Sequence, residues 1–344
     1  MSISHLVRNN IKDLTPYSSA RDEFFGVDYI LLDANENPYD SDINRYPDPY
    51  QKALKQKVAE IKCIDVSKIF IGNGSDEIID LLFRCFCQPY KDTAYALSPS
   101  YGMYKVSAGI NAIDIHYCSL NSDFSLNIDV LISNIKETDK LLFICSPNNP
   151  TGNSFDVNDI ENICVAFNGI VVVDEAYIDF SARDSMILKL EALDNLVVLQ
   201  TMSKSWGAAG LRLGMGFMNE EIVSFMNKIK PPYNINTLSQ KRALELFENY
   251  TSYRTKLEQI IGQRRWVAKE LMNCKNVVKV YPADANFILT QFDMPKDTYK
   301  LLKSNGIIVR DRTQTHLCND CLRLTIGKED ENMRMIELIK SQKG

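Results

Sequence analysis

The sequence predicts an α/β protein: a large domain with a mainly parallel central sheet covered by helices, and a smaller α+β domain. Three observations carry this. First, the middle of the chain holds short runs that are apolar throughout and end in polar or turn residues: KIFIG (68–72), TAYALS (93–98), KLLFICS (140–146), GIVVVD (169–174) and NLVVLQT (195–201). Strands apolar on both faces belong to a parallel sheet buried under helices. Second, helical spacing alternates with these runs, as in IIDLLFRCF, where Ile78, Ile79, Leu82, Phe83 and Phe86 share one face. Third, the last part of the chain returns to an α+β pattern.

In chain order, residues 1–30 read as an N-terminal arm, 31–240 as the large domain and 241–344 as the small one, to which the N-terminal segment contributes. LDANENPYD and NRYPDPYQ are ordered loops, with Asn and Pro setting turns and tyrosines anchoring them. YQKALKQKVAEI (50–61) has helical spacing, with Ala53, Leu54, Val58 and Ile61 on one side. Helix resumes near 219, and 234–273 spans one or two helices. Then come VVKVYPADANFILTQF, a helix near 296–305, GIIVRDR, CLRLTIG and a final helix near 329–342.

Length and composition bound the function. With 344 residues the chain holds about two domains, and 45% hydrophobic with 24% charged residues excludes wholesale disorder. A net charge of −5 argues against a nucleic-acid binder, which needs a basic face to displace counterions. No apolar run approaches the ~20 residues of a membrane span, and MSISHLVRNNIKDL lacks the apolar core of a secretory signal, so a cytoplasmic location is expected. The nine cysteines are scattered and form no disulfide framework. Cys318 and Cys321 make a CxxC with no second pair at zinc-site spacing, and no metal is expected.

The residues that carry chemistry follow the strands, where open α/β sheets bind ligands. Lys204 comes just after NLVVLQT, in a partly desolvated place that lowers a lysine's pKa and makes it a nucleophile toward carbonyls. Thr201, Ser203, Ser205 and Arg212 offer the hydroxyls and guanidinium that a phosphate needs. A solvated lysine in a polar turn is the alternative. Asp174 closes GIVVVD, where a half-buried carboxylate needs a cation or else serves as a helix cap, and Tyr177 follows three residues on. Asn149, in SPNNPTG, can hydrogen-bond a ring hydroxyl. Gly74, Ser75 and Asp76, in GNGSDE at a strand–helix junction, offer backbone N–H groups to an anion. Neither a Walker A loop nor GxGxxG is present. Tyr101, in SYGMY, either stacks on a flat ring or fills core.

Together these groups describe one ligand, pyridoxal 5'-phosphate: a phosphate, a ring cation, a phenolic oxygen, a flat ring and an aldehyde. At this point the chain resembles the fold type I pyridoxal-phosphate aminotransferases (class-II subfamily), and within them the histidinol-phosphate aminotransferases. The likeness runs from LTPYSSAR and LDANENP through NRYPDP, GNGSDEIIDLL, PSYGMY, SPNNPTG, VVVDEAYIDF and TMSKSWGAAGLRLG to ADANFIL, GIIVRDR and CLRLTIG, nearly the whole chain.

The resemblance implies the following roles. Lys204 carries the cofactor and shuttles the proton, Asp174 pairs with the pyridine nitrogen, Tyr177 and Asn149 bond the phenolic oxygen, and Tyr101 stacks on the ring. Gly74, Ser75, Asp76, Thr201, Ser203 and Arg212 cradle the phosphate. Tyr46 reaches the partner's cofactor phosphate, which implies a homodimer with shared sites. Tyr17, Asn35, Arg310 and Arg323 bind substrate. The implied reaction is transamination between L-histidinol phosphate and 2-oxoglutarate, in histidine biosynthesis. An aromatic-amino-acid aminotransferase or a threonine-phosphate decarboxylase shares almost every motif. Two departures stand out: the polar loop DRTQTHLCND between the arginine motifs, and Ser205, where the family often has alanine, a change expected to matter little.

Overall fold

The computed structural model describes residues 3–17 and 330–342 together with everything from 30 to 329 between them. Part of the LTPYSSAR stretch, residues 18–21, lies outside the described residues. In chain order the elements are α1 (Asn9–Lys12), α2 (Lys52–Lys62), β1 (Ile69–Asn73), α3 (Ser75–Phe86), β2 (Thr93–Ser98), α4 (Met103–Ile110), β3 (Asp114–Ser119), α5 (Ile128–Ser133), β4 (Asp139–Cys145), α6 (Val157–Ala166) and β5 (Ile170–Asp174). They continue with β6 (Leu196–Thr201), β7 (Leu213–Met218), α7 (Glu220–Ile229), α8 (Thr237–Glu248), α9 (Tyr250–Met272), β8 (Val277–Val280), β9 (Phe287–Phe292), α10 (Pro295–Ser304), β10 (Arg310–Asp311), β11 (Cys321–Thr325) and α11 (Glu329–Ser341).

A seven-stranded sheet runs in the order β1-β7-β6-β5-β4-β2-β3. Strands β6, β5, β4, β2 and β3 are parallel, and β7 is antiparallel to both of its neighbours. The central strands read as apolar throughout because each face meets its own core. On β5, Val171 and Val173 pack into one cluster with Phe155 and Phe180, whereas Ile170 and Val172 pack into the other with Phe83 and Phe143. Each such side chain removed from water contributes about 1.5–3 kcal/mol, and the helices on both faces keep them dry. The second sheet is antiparallel, in the order β10-β11-β9-β8. It has its own core of Ile288, Phe292, Leu322 and Leu324 against α9, α10 and α11.

Two strands escape the sequence reading. β3 is a sheet edge with the half-exposed pattern of DIHYCS, so it carries no continuous apolar run. β7 is interrupted by Gly214 and Gly216. Gly214 is required by close approach: a Cβ there would lie 2.3 Å from the Ser75 amide nitrogen. The 234–273 stretch resolves into two helices that meet at Asn249. Cys318 and Cys321 are free thiols buried in the core. Among the described residues no helix is long and apolar enough to cross a membrane, and no group of side chains is arranged to hold a metal ion.

Candidate active site

The carboxyl ends of β4, β5 and β6 lie side by side, so the loops that leave them converge. They deliver Asn149, Asp174 and Lys204 to one cleft of about 640 Å3. The N-terminus of α3 and the hairpin of β10 and β11 close it from two other sides. The cleft therefore draws on both sheets.

Asp174 is the last residue of β5 and is 3% exposed. Its Oδ2 accepts a hydrogen bond from the Tyr104 hydroxyl at 2.8 Å, and its Oδ1 accepts one from the Ala176 N–H at 3.1 Å. Burial pushes this carboxyl up to about 6, against the pull of those two donors. Lys204 follows β6 and reaches into the open cleft, its ammonium 5.6 Å from the centre of the Tyr177 ring. Enclosure by the cleft walls, and then the nearby Arg323, lower its pKa, which favours the neutral nucleophilic amine. Tyr177 is buried edge-on against Phe287. Asn149 is buried too, and its side-chain oxygen accepts a hydrogen bond from Arg323.

At the other side, Gly74 precedes α3 with φ 81°, and no side chain caps the helix. A Cβ on Gly74 would lie 2.6 Å from a guanidinium nitrogen of Arg212. Arg212 itself takes a left-handed backbone, φ 53°, a strained conformation for a residue with a side chain. It turns back onto Asp76 at 3.5 Å. Thr201 donates to the Ser203 hydroxyl at 3.0 Å, so both hydroxyls face the same space. A bare helix N-terminus, two hydroxyls and a guanidinium make an anion cradle. The Tyr101 hydroxyl donates to Asp76 at 3.2 Å, and its ring meets Tyr104 edge-on.

Pyridoxal phosphate fits this donor set. The cradle is shaped at Gly74 so that backbone, not side chain, meets an anion, and Asp174 is a buried carboxylate with no cation among the described residues hydrogen-bonded to it.

Of the residues singled out from the sequence, the cleft gathers Gly74, Ser75, Asp76, Tyr101, Asn149, Asp174, Tyr177, Thr201, Ser203, Lys204, Arg212, Arg310 and Arg323. It does not gather Tyr17, Asn35 or Tyr46. Asn35 and Tyr46 line a separate cavity of about 390 Å3, and Tyr17 lies beside Tyr50 and Lys228. Tyr46 is half exposed and stacks on Tyr233 with ring centres 4.4 Å apart. Sequence reasoning missed two residues of the site. Tyr104 lies in the YGMY motif, where only Tyr101 is singled out. Arg312 lies two residues after Arg310 in GIIVRDR, and strand alternation alone puts the two on one face. Ser205 is also more engaged than expected: it is buried, and its hydroxyl donates to Asp179.

The sequence profile of the family described as Aminotransferase class I and II matches residues 28–339. A curated histidinol-phosphate aminotransferase of Cytophaga hutchinsonii is 48% identical over 344 residues, covering 99% of each chain. One of Christiangramia forsetii is 46% identical, covering 98% of this chain and 97% of its own. In fold, the chain is similar to the crystal structure of the histidinol-phosphate aminotransferase from Clostridium acetobutylicum, with a TM-score of 0.81 at 22% identity over 87% of this chain and 90% of that one. It is also similar to the enzyme of that name from Sinorhizobium meliloti, solved in complex with pyridoxal-5'-phosphate, with a TM-score of 0.79 at 19% identity over 87% and 84%.

Proposed function

We propose that this chain, which belongs to the class I and II aminotransferases and within them to the histidinol-phosphate aminotransferase family, transfers the amino group of L-histidinol phosphate to 2-oxoglutarate. The products are imidazole-acetol phosphate and L-glutamate, a step of histidine biosynthesis. The protein is a pyridoxal-phosphate-dependent aminotransferase. The observation that carries the substrate reading is the polarity of the cleft. Lys204 and Asp174 line its floor, an anion cradle lies on one side, and on the other stand Arg310, Arg312 and Arg323, none of them ion-paired with a carboxylate among the described residues.

When bound, pyridoxal phosphate supplies a reactive aldehyde and a ring that withdraws electrons. The chain's own residues do the rest. The Lys204 amine, its pKa lowered by enclosure in the cleft, would hold the aldehyde and would move the proton at the substrate's reacting carbon. Asp174 presents a carboxylate to a ring nitrogen and holds a proton there. Tyr177 and Asn149 offer polar groups to the phenolic oxygen, Tyr101 offers its ring face, and Ser75, Asp76, Thr201, Ser203 and Arg212 hold the phosphate, with Gly74 leaving room for it. Residues 31–240 then form the cofactor-binding domain, and 241–344 bring the substrate arginines.

The same reading takes the protein as a cytoplasmic homodimer with shared sites. What supports the homodimer is the segment around Tyr46. Ile30, Leu32, Tyr39, Ile43 and Tyr46 are all exposed, as is Tyr17, and a second copy would bury them. Tyr46 then reaches the partner's cofactor phosphate, and Tyr17 and Asn35 its substrate.

A coupled assay for glutamate from histidinol phosphate and 2-oxoglutarate tests the function, run beside L-phenylalanine and threonine phosphate. Preference for histidinol phosphate is expected. Turnover of only an aromatic amino acid, or release of carbon dioxide from threonine phosphate, would replace the reading.

A further inference from the structure

We propose that Arg312 is a specificity-determining residue: together with Arg323 it holds the phosphate of the substrate, and it favours a phosphate ester over a carboxylate at that position. This rests on the function proposed above. Arg310 on β10 stands directly across from Arg323 on β11. The Arg312 N–H donates to the Cys321 carbonyl at 3.0 Å, so the pairing continues beyond β10. Alternation along the strand then puts Arg310 and Arg312 on one face with Arg323 opposite, and all three line the cleft.

Like charges placed across an antiparallel pair repel, so this face is unfavourable without an anion. The carboxylates of the cleft do not supply one. Asp76 is engaged by Arg212 and Tyr101, and Asp174 by Tyr104 and the Ala176 N–H. Arg323 bonds a neutral amide, Asn149. The Nε atoms of Arg312 and Arg323 are buried and have no hydrogen-bond partner among the described residues, and burial and the two neighbouring guanidiniums lower the pKa of Arg312. The face is a set of donors waiting for a multiply charged acceptor.

A carboxylate brings one charge and two oxygens, which one guanidinium fork satisfies. A phosphate monoester brings nearly two charges at neutral pH and three oxygens, enough for two forks. Arg323 can serve either anion, and the second fork at Arg312 is used fully only by phosphate.

The test compares wild-type, Arg312→Gln and Arg312→Lys holoenzymes, whose cofactor already fills the anion cradle. Three quantities are measured: single-turnover rates with histidinol phosphate, the same with L-glutamate, and the dissociation constant of inorganic phosphate followed through the cofactor's absorbance. Arg312→Gln is expected to lower the single-turnover rate at subsaturating histidinol phosphate about 10–100-fold and to weaken phosphate binding by a similar factor, the size of a lost charged hydrogen bond. Its effect on glutamate is expected to stay within a few-fold, and Lys is expected to restore part of the loss because it keeps charge without the fork. Equal losses with both substrates, or an unchanged phosphate dissociation constant, overturn the proposal. If wild-type enzyme ignores histidinol phosphate, the functional reading fails by itself. Arg312 is then judged by the phosphate constant alone: loss of phosphate binding in Arg312→Gln upholds the phosphate site, and no loss refutes it.

Discussion

The Tyr104 hydroxyl donates to Asp174 Oδ2 at 2.8 Å, with both side chains buried. Tyr104 is held in turn between Phe143, stacked at 4.6 Å, and Tyr101, edge-on at 5.6 Å. One buried tyrosine therefore touches both the acid proposed for the ring nitrogen and the aromatic proposed for the ring face. Burial drives Asp174 toward its neutral form, and this hydrogen bond opposes it.

Tyr104→Phe removes the bond and keeps the packing. The Asp174 carboxyl, at about 6 in the cofactor-free protein, is expected to rise further. Since the ionised form is the one that pairs with a protonated ring nitrogen, cofactor affinity should increase with pH through this region. In the variant that increase should occur about one pH unit or more higher, the worth of a hydrogen bond to a charged group. Titrating cofactor affinity between pH 5 and 8 checks it, and superimposable profiles would make Tyr104 a core residue only.

Asp174→Asn should separate stability from activity. The folded-state pKa is raised above its ordinary value, to about 6 from 3.8. As pH rises, the unfolded chain therefore loses this proton first, and stability falls between pH ~4 and ~6 and stays reduced above it. Asparagine cannot ionise. The cofactor-free variant is expected to be more stable than wild type by about 3 kcal/mol at pH 8, with the gap narrowing toward pH 5. In the holoenzyme the same change is expected to cost several powers of ten in rate, because a charge placed where charge develops is often the largest catalytic term. Urea unfolding at the two pH values and steady-state rates measure both halves. Near wild-type turnover would remove Asp174 from the mechanism.

The legibility of the site follows its physics. Lys204 and Asp174 could be read because each comes at or just after the end of an apolar strand, where a charged group is out of place unless a ligand meets it. The Gly74 turn could be read because a glycine pair marks a strand–helix junction. Tyr104 could not, since a buried tyrosine on a helix has the same pattern as a core phenylalanine, and its partner lies 70 residues away. Arg312 was passed over because the resemblance singled out only Arg310 within GIIVRDR, although alternation puts both on one face. Tyr17, Asn35 and Tyr46 carry no local signal that points to the cleft. They came from the family resemblance alone, and in the single chain they lie elsewhere. β7 was missed for the same reason that it works: the glycines that let the start of α3 approach the sheet also break the apolar run.

Shared sites can be tested by mixing. Lys204→Ala is expected to abolish borohydride-dependent fixation of the cofactor, because among the described residues Lys204 alone of the lysines lines the cleft. Tyr46→Phe, or Ala if Phe is too mild, should weaken cofactor binding. If Tyr46 completes the partner's site, a heterodimer of Lys204→Ala with the Tyr46 variant has one site with both residues intact. Some activity should then return on mixing, up to about half the wild-type value per dimer. No recovery, with subunit exchange confirmed by mass, counts against a shared site, and a monomer in solution sinks it.

The arginines opposite each other on β10 and β11 should divide the two half-reactions. Arg323 is partly buried and bonded to Asn149, and in the proposed reaction it would meet a phosphate in one half-reaction and an α-carboxylate in the other. Arg310 is exposed at the rim, and the proposal gives it the second carboxylate of glutamate. Arg323→Ala is expected to lower single-turnover rates about 100-fold or more with both substrates, since a charge-assisted bidentate contact is lost from each. Arg310→Ala should damage the glutamate half-reaction more than the histidinol-phosphate one. Lysine at either position should rescue only in part, because a point charge does not reproduce the planar fork. Small and equal effects in both half-reactions would mean that these guanidiniums serve the hairpin and not the substrate. That outcome sits poorly with their register, since Arg310 and Arg323 face each other across the pair and a purely structural hairpin gains nothing from opposing like charges.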